Sequence, residues 1–224
     1  MRKLLYITAN SKDEKDSSSK TVGRRLVNAI MKSQADITLE EIDLYKDHIP
    51  QLKGCYFGSR SAIVSKEARE KLSRREQEEV SVIEALCDQF VSADIYVLAA
   101  PMWSLSFPAP VKEYIDCVIQ TGKSIEFVDN KPHGLLDDKY RMFIYVQSSG
   151  ASLPMLLRPV MNKGLNYVKE IMKFIGIECF EELLVDNTGK TETERQKAIE
   201  KATGKIDAII AKLSSNTNYE TDKQ

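Results

Sequence analysis

DIYVLAA, Asp94–Ala100, runs directly into PMWSLSFP, Pro101–Pro108. The first seven residues are almost uninterruptedly apolar and do not alternate with polar ones. That length suits a strand rather than a helix, and the lack of alternation marks a strand covered on both faces, the habit of parallel sheets. Ala109–Ile119 then places Val111, Tyr114, Ile115, Val118 and Ile119 at helical spacing. The same strand-then-helix unit recurs on either side. Lys3–Thr8 (KLLYIT) precedes Ser19–Ser33, with Val22, Leu26, Ala29 and Ile30 on one face. Ile37–Ile42 (ITLEEI), less apolar and so nearer a sheet edge, precedes Val80–Val91. Arg141–Gln147 (RMFIYVQ) precedes a helix expected over Met155–Ile175, and Glu178–Val185 precedes one expected over Thr191–Leu213.

Five such units predict an α/β fold: a three-layer sandwich with a five-stranded parallel sheet between helices. Right-handed crossovers leave few strand orders, and five strands suit the flavodoxin-like order 2-1-3-4-5 better than a six-stranded dinucleotide fold. Nothing in the sequence splits it, so residues 1–213 are read as a single domain and the polar segment 214–224 as a disordered tail. Two stretches, 43–77 and 121–138, are long for loops.

The chain's 224 residues, 42% of them apolar, suffice for a core without disulfide or metal staples. A net charge of −1 argues against a nucleic-acid binder. No apolar run reaches the roughly 18 residues of a membrane span, and no signal-peptide core follows Arg2 and Lys3. The four cysteines form no CxxC pair, so a reducing cytoplasmic setting is expected. His48 and His133 lack metal-ligand spacing, and no metal site is expected.

In an open parallel sheet, ligands sit beyond the carboxyl ends of the strands, where the strand order reverses. Three loops lie there. The first, Thr8–Lys20, ends in Ser17, Ser18 and Ser19 where a helix begins. A helix start offers free N–H groups and partial positive charge, and serine hydroxyls add donors, which suits a phosphate monoester. Such serines also serve as ordinary N-caps. No glycine-rich turn for a pyrophosphate is present. The second loop carries Pro101, Met102, Trp103, Ser104 and Leu105, including the only tryptophan, a wall for a flat ligand. The third, Gln147, Ser148, Ser149 and Gly150, is small and polar and allows close backbone approach. Together the loops describe a site for flavin mononucleotide, FMN.

The residues also carry a resemblance. APMWSLSFPAPVKEYID, Ala100–Asp116, resembles the Pro-Met-(Tyr/Trp)-Asn-Phe segment and following Tyr-x-Asp helix of the FMN-dependent NADH azoreductases, also described as NADH:quinone oxidoreductases. GKSIEF, Gly122–Phe127, and KPHGLL, Lys131–Leu136, are similar to two further signatures of that family, and YITA, Tyr6–Ala9, with Ser17–Ser19 matches its phosphate loop. The resemblance implies that Ser17, Ser18 and Ser19 hold the FMN phosphate. It implies that Met102 to Leu105 line the ring and ribityl chain and that Gln147 to Gly150 face the pyrimidine end. It further implies a homodimer with one FMN per subunit; Tyr56 and Phe57, in the long 43–77 segment, then either wall the partner's pocket or pack on their own subunit, and Phe127 is a further candidate for the substrate pocket. NADH or NADPH would then be the donor, and quinones and azo compounds the acceptors, in ping-pong order with the flavin carrying the chemistry. Two stretches depart from the family: Ser104 and Leu105 replace Asn and Phe, and Ser149 to Ala151 replace Arg-Gly-Gly. A related flavin or nitroaromatic reductase is the alternative enzyme. A flavodoxin-type electron carrier, usually shorter and more acidic, is the alternative of another class.

Overall fold

The structure, a computed structural model, describes residues 1–34, 36–152, 154, 156–189 and 191–221. Its main sheet contains β1 (Arg2–Thr8), β2 (Ile37–Asp43), β3 (Ile95–Pro101), β6 (Met142–Ser148) and β7 (Cys179–Val185). Their order is β2-β1-β3-β6-β7, every neighbouring pair parallel. Counted within the sheet this is 2-1-3-4-5, the expected flavodoxin-like order. β3 and β6 are buried at every residue, whereas β2, at the edge, keeps partly exposed positions.

Successive side chains on a strand point to opposite faces, so each strand feeds two cores. Leu5, Ile7, Tyr96, Leu98, Phe143 and Tyr145 pack on one side, against α3 (Arg74–Ser92), α4 (Ala109–Val118) and α6 (Lys163–Phe174). Leu4, Tyr6, Val97, Ile144 and Val146 pack on the other, against α1 (Ser18–Ser33), α7 (Glu192–Thr203) and α8 (Ile206–Thr221). Each aliphatic side chain so buried contributes roughly 1.5–3 kcal/mol.

Four local features differ from the sequence reading. Helix α3 begins at Arg74, not near Val80, because Ser73 and Glu76 form a capping box; the short α2 (Lys66–Arg69) precedes it. The stretch 121–138 contains a hairpin, β4 (Ile125–Val128) and β5 (Lys131–Gly134), joined by Asp129 and Asn130, both at positive φ. The helix expected over Met155–Ile175 is two: α5 (Arg158–Met161) and α6, divided at Asn162, whose side chain caps α6. Met155 itself lies outside the described residues. The last expected helix is likewise two, α7 and α8, parted at Gly204 and Lys205, and α8 carries helix through residues 214–221 of the expected tail.

Candidate functional site

The carboxyl ends of β1, β3 and β6 adjoin one another in the sheet, which brings the three loops to one edge. After β1, the chain makes a single 3-10 turn at Glu14–Asp16 and enters α1 through Ser17. Ser17 is the N-cap. Its Oγ accepts from the Lys20 N–H at 3.3 Å and from Asn10 Nδ2 at 2.9 Å, and lies 3.3 Å from Ser19 Oγ. Ser17, Ser18 and Ser19 are all buried. With the Ser17 oxygen occupied as a cap, the Ser18 and Ser19 hydroxyls and their first-turn N–H groups, which have no intrahelical acceptor, are the donors left for an anion.

The charges around this turn are mostly spoken for. Lys20 is only 5% exposed, and its Nζ donates to Asp43 Oδ2 at 3.0 Å and to the Lys12 carbonyl at 3.2 Å. Arg24 forks onto Glu41 at 2.6 and 2.7 Å and reaches Glu14 at 3.1 Å, and this hydrogen bonding holds the Glu41 carboxyl below the ordinary carboxylate range. Arg195 of α7 donates from Nε to Ser18 Oγ at 3.2 Å and from Nη2 to the Lys15 carbonyl at 2.6 Å.

After β3, the Met102 N–H donates to the Ser148 carbonyl at 2.7 Å, tying the second loop to the third. Trp103 and Ser106 exchange backbone hydrogen bonds at 3.1 and 2.8 Å around Ser104 and Leu105, whose φ values are +50° and +62°. Two consecutive left-handed residues form a tight turn that glycine and asparagine normally occupy; Ser and Leu carry strain there. The turn is held from outside. The Gly164 N–H of α6 donates to the Leu105 carbonyl at 3.2 Å, and a Cβ on Gly164 would lie 2.7 Å from the Ser106 carbonyl carbon. Trp103 is 46% exposed and meets Tyr45 edge-on, ring centroids 6.4 Å apart.

After β6, Gln147 and Asn162 form a reciprocal pair of buried amides, at 2.6 and 3.2 Å, with Gln147 also 3.4 Å from Tyr145 Oη. Its amide is thereby anchored to Asn162. Ser149 Oγ donates toward Asp186 Oδ1 at 2.9 Å and the Ala151 carbonyl at 2.6 Å, and the Ser149 N–H bonds the Val185 carbonyl. The N–H groups of Gly150 and Ala151 carry no acceptor among the described residues. Gly150 abuts Gly189, whose missing Cβ would stand 2.8 Å from the Gly150 carbonyl oxygen.

The second wall expected from sequence is not assembled here. Tyr56 is 1% exposed and belongs to the core of its own chain. Phe57 lines a separate cavity of 370 Å³ with Leu52, Ile115, Ile119, Tyr167 and Ile171. Phe127, on β4, lies under the Arg60 guanidinium at 5.0 Å. Burial pushes the Cys87 and Cys117 thiols up to about 12, so neither is an activated nucleophile. Among the described residues no cluster of His, Cys, Asp and Glu could hold a metal ion, and no helix is long and apolar enough to cross a membrane. Asn10, Lys20, Asn162 and Arg195 were not singled out from sequence. Asn10 and Lys20 lie within the first loop, whereas Arg195 reaches that loop, and Asn162 reaches Gln147, from distant elements.

The strand order and this edge define a flavodoxin-like protein, and the sequence profile described as the flavodoxin-like fold matches residues 2–210. The FMN-dependent NADH:quinone oxidoreductase of Ruminiclostridium cellulolyticum is 62% identical over 213 residues, 95% of this chain and all of that one. The enzyme of the same description from Clostridium botulinum, strain Eklund 17B, is 58% identical over 94% of this chain and 98% of its own. A solved structure of an FMN-dependent NADH-azoreductase from Bacillus anthracis in complex with FMN superposes with a TM-score of 0.80 at 23% identity, covering 94% of this chain and all of that one, a likeness of fold. This chain belongs to the family of FMN-dependent NADH:quinone oxidoreductases.

Proposed function

We propose that this chain binds FMN and uses it to pass a hydride from NADH to quinones, and that it cleaves aromatic azo compounds through the same site. The observation that carries the reading is the serine turn at the start of α1: buried hydroxyls and unpaired first-turn N–H groups at the point where strand order reverses between β1 and β3. These donors fit a phosphate monoester. The absence of a glycine-rich loop before α1 fits a mononucleotide better than a dinucleotide.

FMN, when bound, supplies two-electron transfer between a nicotinamide and a quinone. What the chain does is bind and orient. Ser18 and Ser19 hold the phosphate, with Ser17 and Asn10 shaping the turn beneath them. Pro101 to Leu105 form a rigid side wall, stiffened by the Gly164 contact. Ser148 to Gly150 bring main-chain N–H groups to the polar end of the ring, and those of Gly150 and Ala151 are free to favour negative charge there. Half-exposed Trp103 and Leu105 leave the open face apolar, which excludes water from a flat aromatic substrate. No side chain acts as nucleophile. Phe57 and Phe127 are proposed to complete the pocket in a homodimer. Residues 1–213 are read as one domain working in the cytoplasm.

The test is steady-state NADH oxidation with menadione or an azo dye after FMN loading. Parallel initial-velocity lines are expected, because donor and acceptor use one face in turn. Absence of turnover without an added reductase would favour an electron carrier instead.

A further inference from the structure

We propose that Arg195 is a positioning residue for the phosphate turn, acting through Ser18 and specific to the phosphorylated flavin. The proposal rests on the FMN reading above. Arg195 stands on α7, which shares a sheet face with α1: Ile199 and Ala202 of α7 pack in the same core as Val22 and Leu26 of α1. That packing brings the guanidinium across 177 positions of sequence to Ser18 Oγ, 3.2 Å away, and to the Lys15 carbonyl, 2.6 Å away. Among the described residues its remaining partner is Glu192 Oε1 at 2.7 Å.

Three features separate this contact from a surface staple. The Arg195 side chain is 17% exposed whereas that of its partner Glu192 is 74% exposed, so the ion pair reaches into water, is weakened by screening, and ties the guanidinium less firmly than a buried carboxylate would. Lys20 and Arg24 are held by Asp43 and by Glu14 and Glu41, and Lys12 and Lys15 of the same loop are exposed to solvent. Ser17 already caps α1, so the helix start does not need the Ser18 hydroxyl. By accepting from Arg195, the Ser18 oxygen is fixed as an acceptor on that side, and its own proton is directed elsewhere. A dianionic phosphate gains both from that oriented donor and from the nearby charge. Riboflavin, which lacks the phosphate, gains neither.

The experiment titrates flavin-free protein with FMN and, separately, with riboflavin, following flavin fluorescence. It compares wild type, Arg195→Ala, Arg195→Lys, Ser18→Ala and the Ser18→Ala/Arg195→Ala double variant, with thermal unfolding of each as a control. Arg195→Ala is expected to weaken FMN about tenfold, the scale of a lost charged hydrogen bond, and riboflavin by less than about twofold. The double variant is expected to lose less than the two single losses combined. Arg195→Lys keeps charge without the fork and falls between wild type and alanine; it is read in place of alanine should the latter not fold. An equal loss for both flavins, no loss for FMN, or independent effects of the two sites would overturn the proposal. Wild type binding neither flavin would instead refute the FMN reading itself.

Discussion

Gly164→Ala tests how the ring wall is built. Gly164 is the second residue of α6, and an added Cβ would lie 2.7 and 2.8 Å from the carbonyl carbon and Cα of Ser106, both backbone atoms. In a helix, alanine is favoured over glycine by up to about 1 kcal/mol. Against this stands overpacking, which costs about 1–3 kcal/mol, and the Gly164 to Leu105 hydrogen bond, worth about 1 kcal/mol if the helix must retreat. The cost wins, with a net destabilisation of about 1–3 kcal/mol. For a chain of this size that lowers Tm by about 2–4 °C per kcal/mol. Retreat of α6 also frees Leu105 from its left-handed conformation and shifts Trp103, the only tryptophan. The assay is therefore thermal unfolding read beside intrinsic tryptophan emission. Lower Tm with altered emission is expected. A variant as stable as wild type, with unchanged emission, would refute the close approach and the role given to it.

Ser17→Ala removes the α1 cap and the acceptor of Asn10, so calorimetry should show a loss of about 1 kcal/mol. Native protein treated with an aromatic disulfide near neutral pH should react first at exposed Cys55, and Cys55→Ser should abolish that fast phase, whereas Cys87 and Cys117 react only on unfolding. Glu41 titrates below its unfolded value because Arg24 is bonded to it, so its stabilisation is complete above the ordinary carboxylate range, about pH 4.3, and is lost as pH falls through the lowered folded value. The melting temperatures of wild type and Glu41→Gln should therefore converge in acid; a gap that widens there would contradict the pairing.

Much of the fold is legible in the sequence because buried parallel strands leave long apolar runs. The β3 and β6 segments show this, each displaced by only one residue from the expected bounds. Helix breaks were harder to see. Asn162 interrupts a continuous apolar stripe, and only its capping bond to the Leu165 N–H reveals the division. The hairpin at 125–134 carried its turn signal in Asp129-Asn130, but its four-residue strands are too short to show periodicity. In the site, the serine turn was legible by position, since the first strand-to-helix turn of such a sheet faces the ligand edge. The fate of individual side chains was not. Gln147 pairs with a residue 15 positions on, and Arg195 reaches Ser18 from another helix. Tyr56 reads as a loop aromatic, yet it is drawn into the same core as Leu44 and Val80.

The central claim joins the serine turn to Trp103 through one mononucleotide, and titration of FMN into flavin-free protein while recording Trp103 emission tests it most directly. Saturable quenching at one equivalent per chain is predicted, with affinity falling sharply when Ser18 and Ser19 are both replaced by alanine. Emission that stays constant across the titration, or quenching indifferent to those two serines, would contradict it.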